Sequence, residues 1–166
     1  MNEIPLLEKI KSGYLISTDK GKLQPAVIHS YLSKLSYWAK NIPEEIMERS
    51  ISGSVCFAVY EVKQEKEHLL SQVGFARVIT DGATFGYLAD VFILPEHQGR
   101  GLAKWLMKEI LSHPALSGFR RWMLATKDAH SLYEKSGFER IIHPERFMRL
   151  SLFDEYPVPD NPEGHA

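Results

Sequence analysis

The sequence predicts an α/β chain of the mixed α+β kind, a mostly antiparallel sheet flanked by helices. Three observations carry this expectation. The β-forming runs Val55 to Val62, Val73 to Thr80 and Phe85 to Leu94 follow one another with polar or turn-forming breaks, the pattern of an antiparallel meander. Apolar residues at helical spacing flank that meander on both sides. The 166 residues, 44% hydrophobic and 25% charged, suit one globular domain, expected over 1–153, with a flexible tail over 154–166.

Gly13-Tyr14-Leu15-Ile16-Ser17 reads as a short first strand and Asp19-Lys20-Gly21-Lys22 as a turn. From Pro25 to Leu35, Val27, Ile28, Tyr31, Leu32 and Leu35 recur at helical spacing. Ser36 to Lys40 reads as a loop. Pro43 then opens a second helix, with Glu44 and Glu45 in the first turn, where the macrodipole favours acids. Gln64 to His68 suits the tip of the first meander hairpin, and Asp81-Gly82 the turn of the second. Pro95 ends the third strand. Gly101 to Ser112 is strongly helical, with Leu102, Leu106 and Ile110 on one stripe, and His113-Pro114 stops it. Arg121 to Thr126 reads as a strand, Asp128 to Lys135 as a short helix with Gly137 at its C-cap, and Phe147 to Leu150 as a final short strand. Pro157, Pro159 and Pro162 mark a tail expected to fray.

A formal net charge of -1 gives no bulk attraction to nucleic acid, and none is expected as a partner. Cys56 is the single cysteine; in the apolar run Val55 to Val59 it reads as a buried, inert thiol. No apolar stretch approaches about 18 residues, so no membrane span is expected. The start of the chain has Glu3, Pro5 and Glu8 where a signal peptide needs a basic start and an apolar run, so a cytoplasmic setting is expected. His and Cys spacing offers no metal-ligand pattern, and no metal is predicted.

The chemistry concentrates at Gln98-Gly99-Arg100-Gly101-Leu102-Ala103. A strand ends at Ile93-Leu94-Pro95 and a helix opens at this loop. The helix start exposes unpaired N–H groups and the positive end of the macrodipole. Gly99 and Gly101 allow close backbone approach, and Arg100 and Lys104 add positive charge. The result is an anion cradle suited to a phosphate or pyrophosphate. No Gly-Lys-Ser/Thr follows, so it is no Walker loop, and it lacks the third glycine and downstream acid of a dinucleotide fingerprint.

Gln98-x-x-Gly101-x-Ala103 resembles the Q/R-x-x-G-x-G/A motif of the GNAT acetyltransferase superfamily. Ala129-His130-Ser131-Leu132-Tyr133-Glu134-Lys135-Ser136-Gly137-Phe138 is similar to that family's A-x-x-L-Y-x-x-x-G-F segment. The resemblance runs from about Val55 to Leu150, and the order of elements agrees. It implies a sheet whose fourth and fifth strands, in the family's order, splay apart to admit acetyl-CoA. By the same resemblance the backbone of Val91, Phe92 and Ile93 pairs with the pantetheine arm, and the N–H groups of Gly99 through Lys104 take the pyrophosphate. Tyr133 stands where the family places a general acid that protonates the departing thiolate. Thr126 departs from the asparagine many members carry seven residues before that tyrosine; its hydroxyl is left as a candidate cofactor contact.

The attacking amine must be neutral, and Asp90, on the strand leading to the loop, is a candidate base or a structural carboxylate. Tyr87, three residues earlier, falls on the opposite face unless a bulge intervenes. His97 and His130 read as surface or capping residues. For the acceptor the resemblance points to the first two helices, their loop and the central strands, including Tyr31, Ser36, Tyr37, Trp38 and Arg77, where Tyr37-Trp38 suits stacking on an aromatic or cationic group. The resemblance thus implies transfer of acetyl from acetyl-CoA to a primary amine; the small size of the chain and the lack of a basic recognition patch favour a small molecule over a protein or peptide. The alternatives are a non-catalytic acyl-CoA-binding sensor and an unrelated anion-binding protein. Similar proteins are commonly dimers, so a homodimer is a further expectation.

Overall fold

The computed structural model describes residues 4–63 and 69–158 and sets six strands in one sheet, in the order they occur in the chain. These are β1 (Glu8–Lys11), β2 (Tyr14–Ser17), β3 (Val55–Val62), β4 (Leu70–Thr80), β5 (Phe85–Ile93) and β6 (Arg121–Met123). Pairing is antiparallel from β1 through β5 and parallel between β5 and β6. The parallel step needs a crossover, and α3 (Leu102–Leu111) provides it. The other helices are α1 (Pro25–Ser30), α2 (Glu44–Ser52) and α4 (His130–Glu134).

Helices cover both faces of the sheet, and alternation along β3 shows how. Phe57 and Val59 join a core cluster with Leu102, Leu106, Met107 and Ile110 of α3. Cys56, Ala58 and Tyr60 join the opposite cluster, with Ile28, Leu32 and Met47 from the α1–α2 side. Period-2 alternation with both faces apolar is what a strand buried on two sides requires.

Four local expectations change. The helix expected over Pro25 to Leu35 is α-helical only to Ser30 and continues as a π-helical turn over Tyr31–Leu35, closed by the Ser36 N–H on the Tyr31 carbonyl at 2.9 Å. Helical spacing cannot distinguish these, because their hydrogen bonds differ by only one residue in span; such wide turns often mark functional positions. The first strand is in fact the second. β1 precedes it, joined through Ser12 and Gly13, both at positive φ, the geometry of a tight hairpin turn. All four β1 residues are exposed, so no hydrophobic alternation announces it. Strand β6 stops at Met123 instead of Thr126.

Phe147 to Leu150 is not a strand. Its backbone pairs with no strand among the described residues, and Met148 and Leu150 are 99% and 87% exposed. β-forming residues make a strand only against an edge, and this stretch docks on none. Two contacts reach the start of the tail: Lys40 pairs with Glu155 at 3.5 Å, and Asn41 donates to the Tyr156 carbonyl at 3.4 Å. The expected tip at Gln64 to His68 lies outside the described residues. No helix among those described is long and apolar enough to cross a membrane.

Candidate active site

β5 and β6 pair only from Phe85↔Arg121 to Tyr87↔Met123. Beyond Tyr87 the two strands part, and residues 88–93 present an edge that no strand among the described residues takes. Gly86 helps fix the point of departure. A Cβ there would lie 2.8 Å from the Trp122 ring, so glycine lets that ring close on β5. A cleft of about 890 Å³ opens where the strands part, bounded by Val91, Phe92 and Ile93 of β5, the loop before α3, and Thr126, Leu132 and Tyr133 near α4.

A bulge in β5 shapes the floor. Phe75 pairs with Phe92 and Arg77 with Ala89, so one residue of β4 faces two of β5, Asp90 and Val91. Asp90 takes φ 53°, a left-handed conformation that aspartate tolerates better than most residues. The consequence shows in the packing. Leu88 and Ile93, an odd number of residues apart, lie in the same core cluster. The same extra residue turns Asp90 to the face of Arg77, which it bonds, and so to the face of Tyr87, which plain alternation forbids.

Asp90 is 9% exposed and engaged on both oxygens. Arg77 Nε donates to Oδ2 at 2.5 Å and Trp38 Nε1 to Oδ1 at 2.9 Å. Arg77 also donates from Nη1 to Ser54 Oγ at 3.2 Å. This arrangement ties the loop after α1 to the central strands. Tyr31, on the π-helical turn, stacks on Phe92 with ring centroids 3.9 Å apart. Tyr37 meets Trp38 edge-on at 5.0 Å, and its hydroxyl accepts the Lys127 N–H at 2.7 Å.

The loop at the other end is held from below. The Tyr14 hydroxyl accepts from Arg100 Nη1 at 2.8 Å and bonds His97 Nδ1 at 3.0 Å. Gln98 Nε2 donates to the Ile93 carbonyl at 3.0 Å. Gly99 and Gly101 have φ of 75° and 76°, and a Cβ on either would meet nothing within 4 Å. Both line the cleft, so their backbones border open space at the start of α3. Leu102, Ala103 and Lys104 follow them in its wall. A diphosphate fits this chemistry: N–H groups at a helix start, a lysine, and room where side chains would stand. Among the described residues no group of His, Cys, Asp or Glu could hold a metal ion.

Tyr133 lies opposite the β5 edge and is 9% exposed. Burial first, then the Tyr37 and Asp128 oxygens, push its phenol up to about 12. It therefore stays protonated across the physiological range and can act as a donor. Thr126 Oγ1 accepts the Ala129 N–H at 3.0 Å, holding the turn into α4 while keeping its own proton to give.

Residues 53–140 match the family model described as "Acetyltransferase (GNAT) domain". The chain belongs to the GNAT acetyltransferase superfamily. A Gibberella zeae protein assigned as an acetyltransferase, FG08082, is 38% identical over 141 residues, 76% of this chain and 78% of that one. A Xanthomonas campestris pv. campestris protein assigned to the GNAT family, xcc2953, superposes with a TM-score of 0.76 at 45% identity, covering 84% of this chain and 93% of its own. Glucosamine-6-phosphate N-acetyltransferase from Arabidopsis thaliana shares the fold at a TM-score of 0.55 and 14% identity, covering 84% of this chain and 97% of its own.

The GNAT fold brings nearly all the sequence-derived site residues to one cleft: Asp90, Val91, Phe92, Ile93, Gln98, Gly99, Gly101, Leu102, Ala103, Lys104, Thr126 and Tyr133, with Tyr37, Trp38 and Arg77 at the other end. Ser36 is buried instead, between the Leu32 carbonyl and the Ala39 N–H, and Arg100 also lies outside. Its guanidinium turns away to Tyr14 and lines a smaller hollow with Lys11 and Trp105. Tyr87, Tyr156 and Asp128 are among the lining residues that carry no role from the sequence. Tyr87 needed the bulge. Tyr156 comes from the segment expected to fray. Asp128 read only as the start of a helix.

Proposed function

We propose that this GNAT acetyltransferase moves acetyl from acetyl-CoA to a small primary amine by direct transfer within one domain over 1–153. The observation that carries the reading is the strand opening: the free edge of β5, the positive-φ loop and the Tyr133 phenol all face one cleft. Acetyl-CoA supplies an activated thioester. The Val91–Ile93 backbone offers strand-like hydrogen bonds to an extended arm. The loop N–H groups and Lys104 take the diphosphate, with Gln98 and Tyr14 setting the loop's shape. The Thr126 hydroxyl has a proton free to reach the arm.

As the amine nitrogen bonds to the acyl carbon, the C–S bond breaks and Tyr133 gives its proton to the leaving sulfur. Asp90, with both oxygens occupied, serves mainly to hold Arg77 and Trp38 in the wall; proton removal from the amine falls to water. Most of the rate then comes from positioning. The aromatic side chains of Tyr31, Tyr37 and Trp38 line the amine end and support a compact acceptor over a protein chain. The exposed apolar residues Met148, Leu150 and Leu152 favour a homodimer that covers them.

The test is thiol release with acetyl-CoA and a panel of amines, comparing native protein with Tyr133→Phe. The expected loss in kcat is about 100-fold, with acetyl-CoA affinity little changed. Tight acetyl-CoA binding without turnover of any amine points instead to a sensor module, and turnover of peptides alone to a protein acceptor.

A further inference from the structure

Four side chains with formal charge line the cleft: Arg77, Asp90, Lys104 and Asp128. Arg77 and Asp90 neutralise each other at 2.5 Å. Lys104 belongs to the first turn of α3, at the loop. That leaves Asp128. Among the described residues its carboxylate accepts no hydrogen bond and makes no ion pair. It is not needed to cap α4 either, because Thr126 Oγ1 takes the Ala129 N–H in that turn.

Its place is fixed by its neighbour. The Lys127 N–H donates to the Tyr37 hydroxyl at 2.7 Å, which fastens the turn carrying Asp128 to the Tyr37–Trp38 pair. The Asp128 charge is felt by two other phenols of the same space, raising Tyr31 and Tyr133 after burial has done so first. The Lys127 ammonium lies 5.7 Å from the Tyr37 ring centroid and does not line the cleft. The amine end thus combines aromatic faces with one unmatched negative charge. Both attract cations.

We propose that Asp128 is the anionic anchor of the acceptor site, selecting compact acceptors that carry a second positive charge besides the reacting amine. The inference rests on the acetyl-transfer reading above. The charge held is the second one for a physical reason. A nitrogen attacks only when neutral, and a carboxylate beside it favours its ammonium form. An anchor that speeds turnover must therefore grip a cation that does not react. Diamines satisfy this; amines ending in a carboxylate or phosphate are repelled.

The test uses three acceptors of equal length that differ only at the far end: 1,4-diaminobutane, butylamine and 4-aminobutyrate. With native protein, kcat/KM is expected to fall in that order. In Asp128→Asn the KM for diaminobutane rises about five-fold, as for a partly solvated ion pair, while butylamine changes less than two-fold. In Asp128→Lys the order of diaminobutane and 4-aminobutyrate reverses. Acetyl-CoA affinity by calorimetry and the melting temperature stay as in native protein. The proposal is overturned if native protein treats diaminobutane and butylamine alike, if Asp128→Asn slows all three equally, or if acetyl-CoA binds and diaminobutane is not acetylated. If acetyl-CoA itself does not bind, the acetyl-transfer reading fails first, and this proposal with it.

Discussion

Replacing Asp90 separates two contributions that the structure places on one residue: a buried charge pair and a left-handed backbone. The Asp90 and Arg77 side chains are 7% and 16% exposed, so solvent does little to screen the pair. Removing one partner of a buried pair costs about 3–5 kcal/mol. Arg77 keeps its bond to Ser54 and some exposure, so the lower end, about 3 kcal/mol, applies. Alanine at φ 53° adds about 1 kcal/mol of backbone strain. Asparagine tolerates that φ and keeps one acceptor oxygen, so Asp90→Asn loses mainly one charge-assisted bond, about 2 kcal/mol. At about 2–4 °C per kcal/mol for a chain of this size, melting should fall by about 8–16 °C for alanine and about 4–8 °C for asparagine. Urea unfolding of both, with Asp90→Ala/Arg77→Met closing a double-mutant cycle, is the assay. Removing both charges should recover more than half of the alanine loss. The reasoning fails if Asp90→Asn costs under about 0.5 kcal/mol, or if alanine is no worse than asparagine.

Gly101→Glu sets a carboxylate into the open space before α3; the expected outcome is a folded protein by circular dichroism with no acetyl-CoA heat in calorimetry. Unchanged affinity there argues against the loop as the diphosphate site. Asp81 accepts from Thr84 Oγ1 and the N–H groups of Ala83, Thr84 and Phe85, which hold its carboxyl far below the usual range. Because the folded pKa is depressed, its contribution is present above the unfolded value near 4 and is lost on acidification. The melting difference between native protein and Asp81→Ala should therefore be full at pH 6 and shrink steadily below pH 4; a constant difference contradicts the assignment. Sedimentation velocity should show a dimer that Met148→Glu with Leu150→Glu converts to monomer, and a native monomer at all concentrations removes the homodimer.

The sheet and the loop before α3 were legible because their signals are local. Strand alternation in β3 to β5 and the stripe on α3 report burial directly, and Gly99 and Gly101 mark backbone that only glycine adopts easily. What stayed hidden depends on partners distant in sequence. β1 is a strand only because β2 folds back on it, with exposed residues throughout. Phe147 to Leu150 has strand composition and no edge to join. The bulge at Asp90 is a register mismatch between two strands, which neither strand displays alone. Asp128 looks like any acid at a helix start until Thr126 is seen to hold that turn. Arg100 sits in the right motif, yet its side chain turns to Tyr14, a choice set by a strand 86 residues away.

The short β5–β6 pairing has a thermodynamic corollary. Strands β3, β4 and β5 grip one another along most of their lengths, whereas β6 holds on by three residue pairs. The wall that carries Thr126, Asp128 and Tyr133 is therefore joined to the sheet more by side-chain packing than by strand pairing. A ligand spanning the gap joins that wall to the sheet, so its binding adds to the local stability of residues 121–138. Amide exchange in that segment, slow with ligand and fast without, would measure affinity and mobility as one quantity.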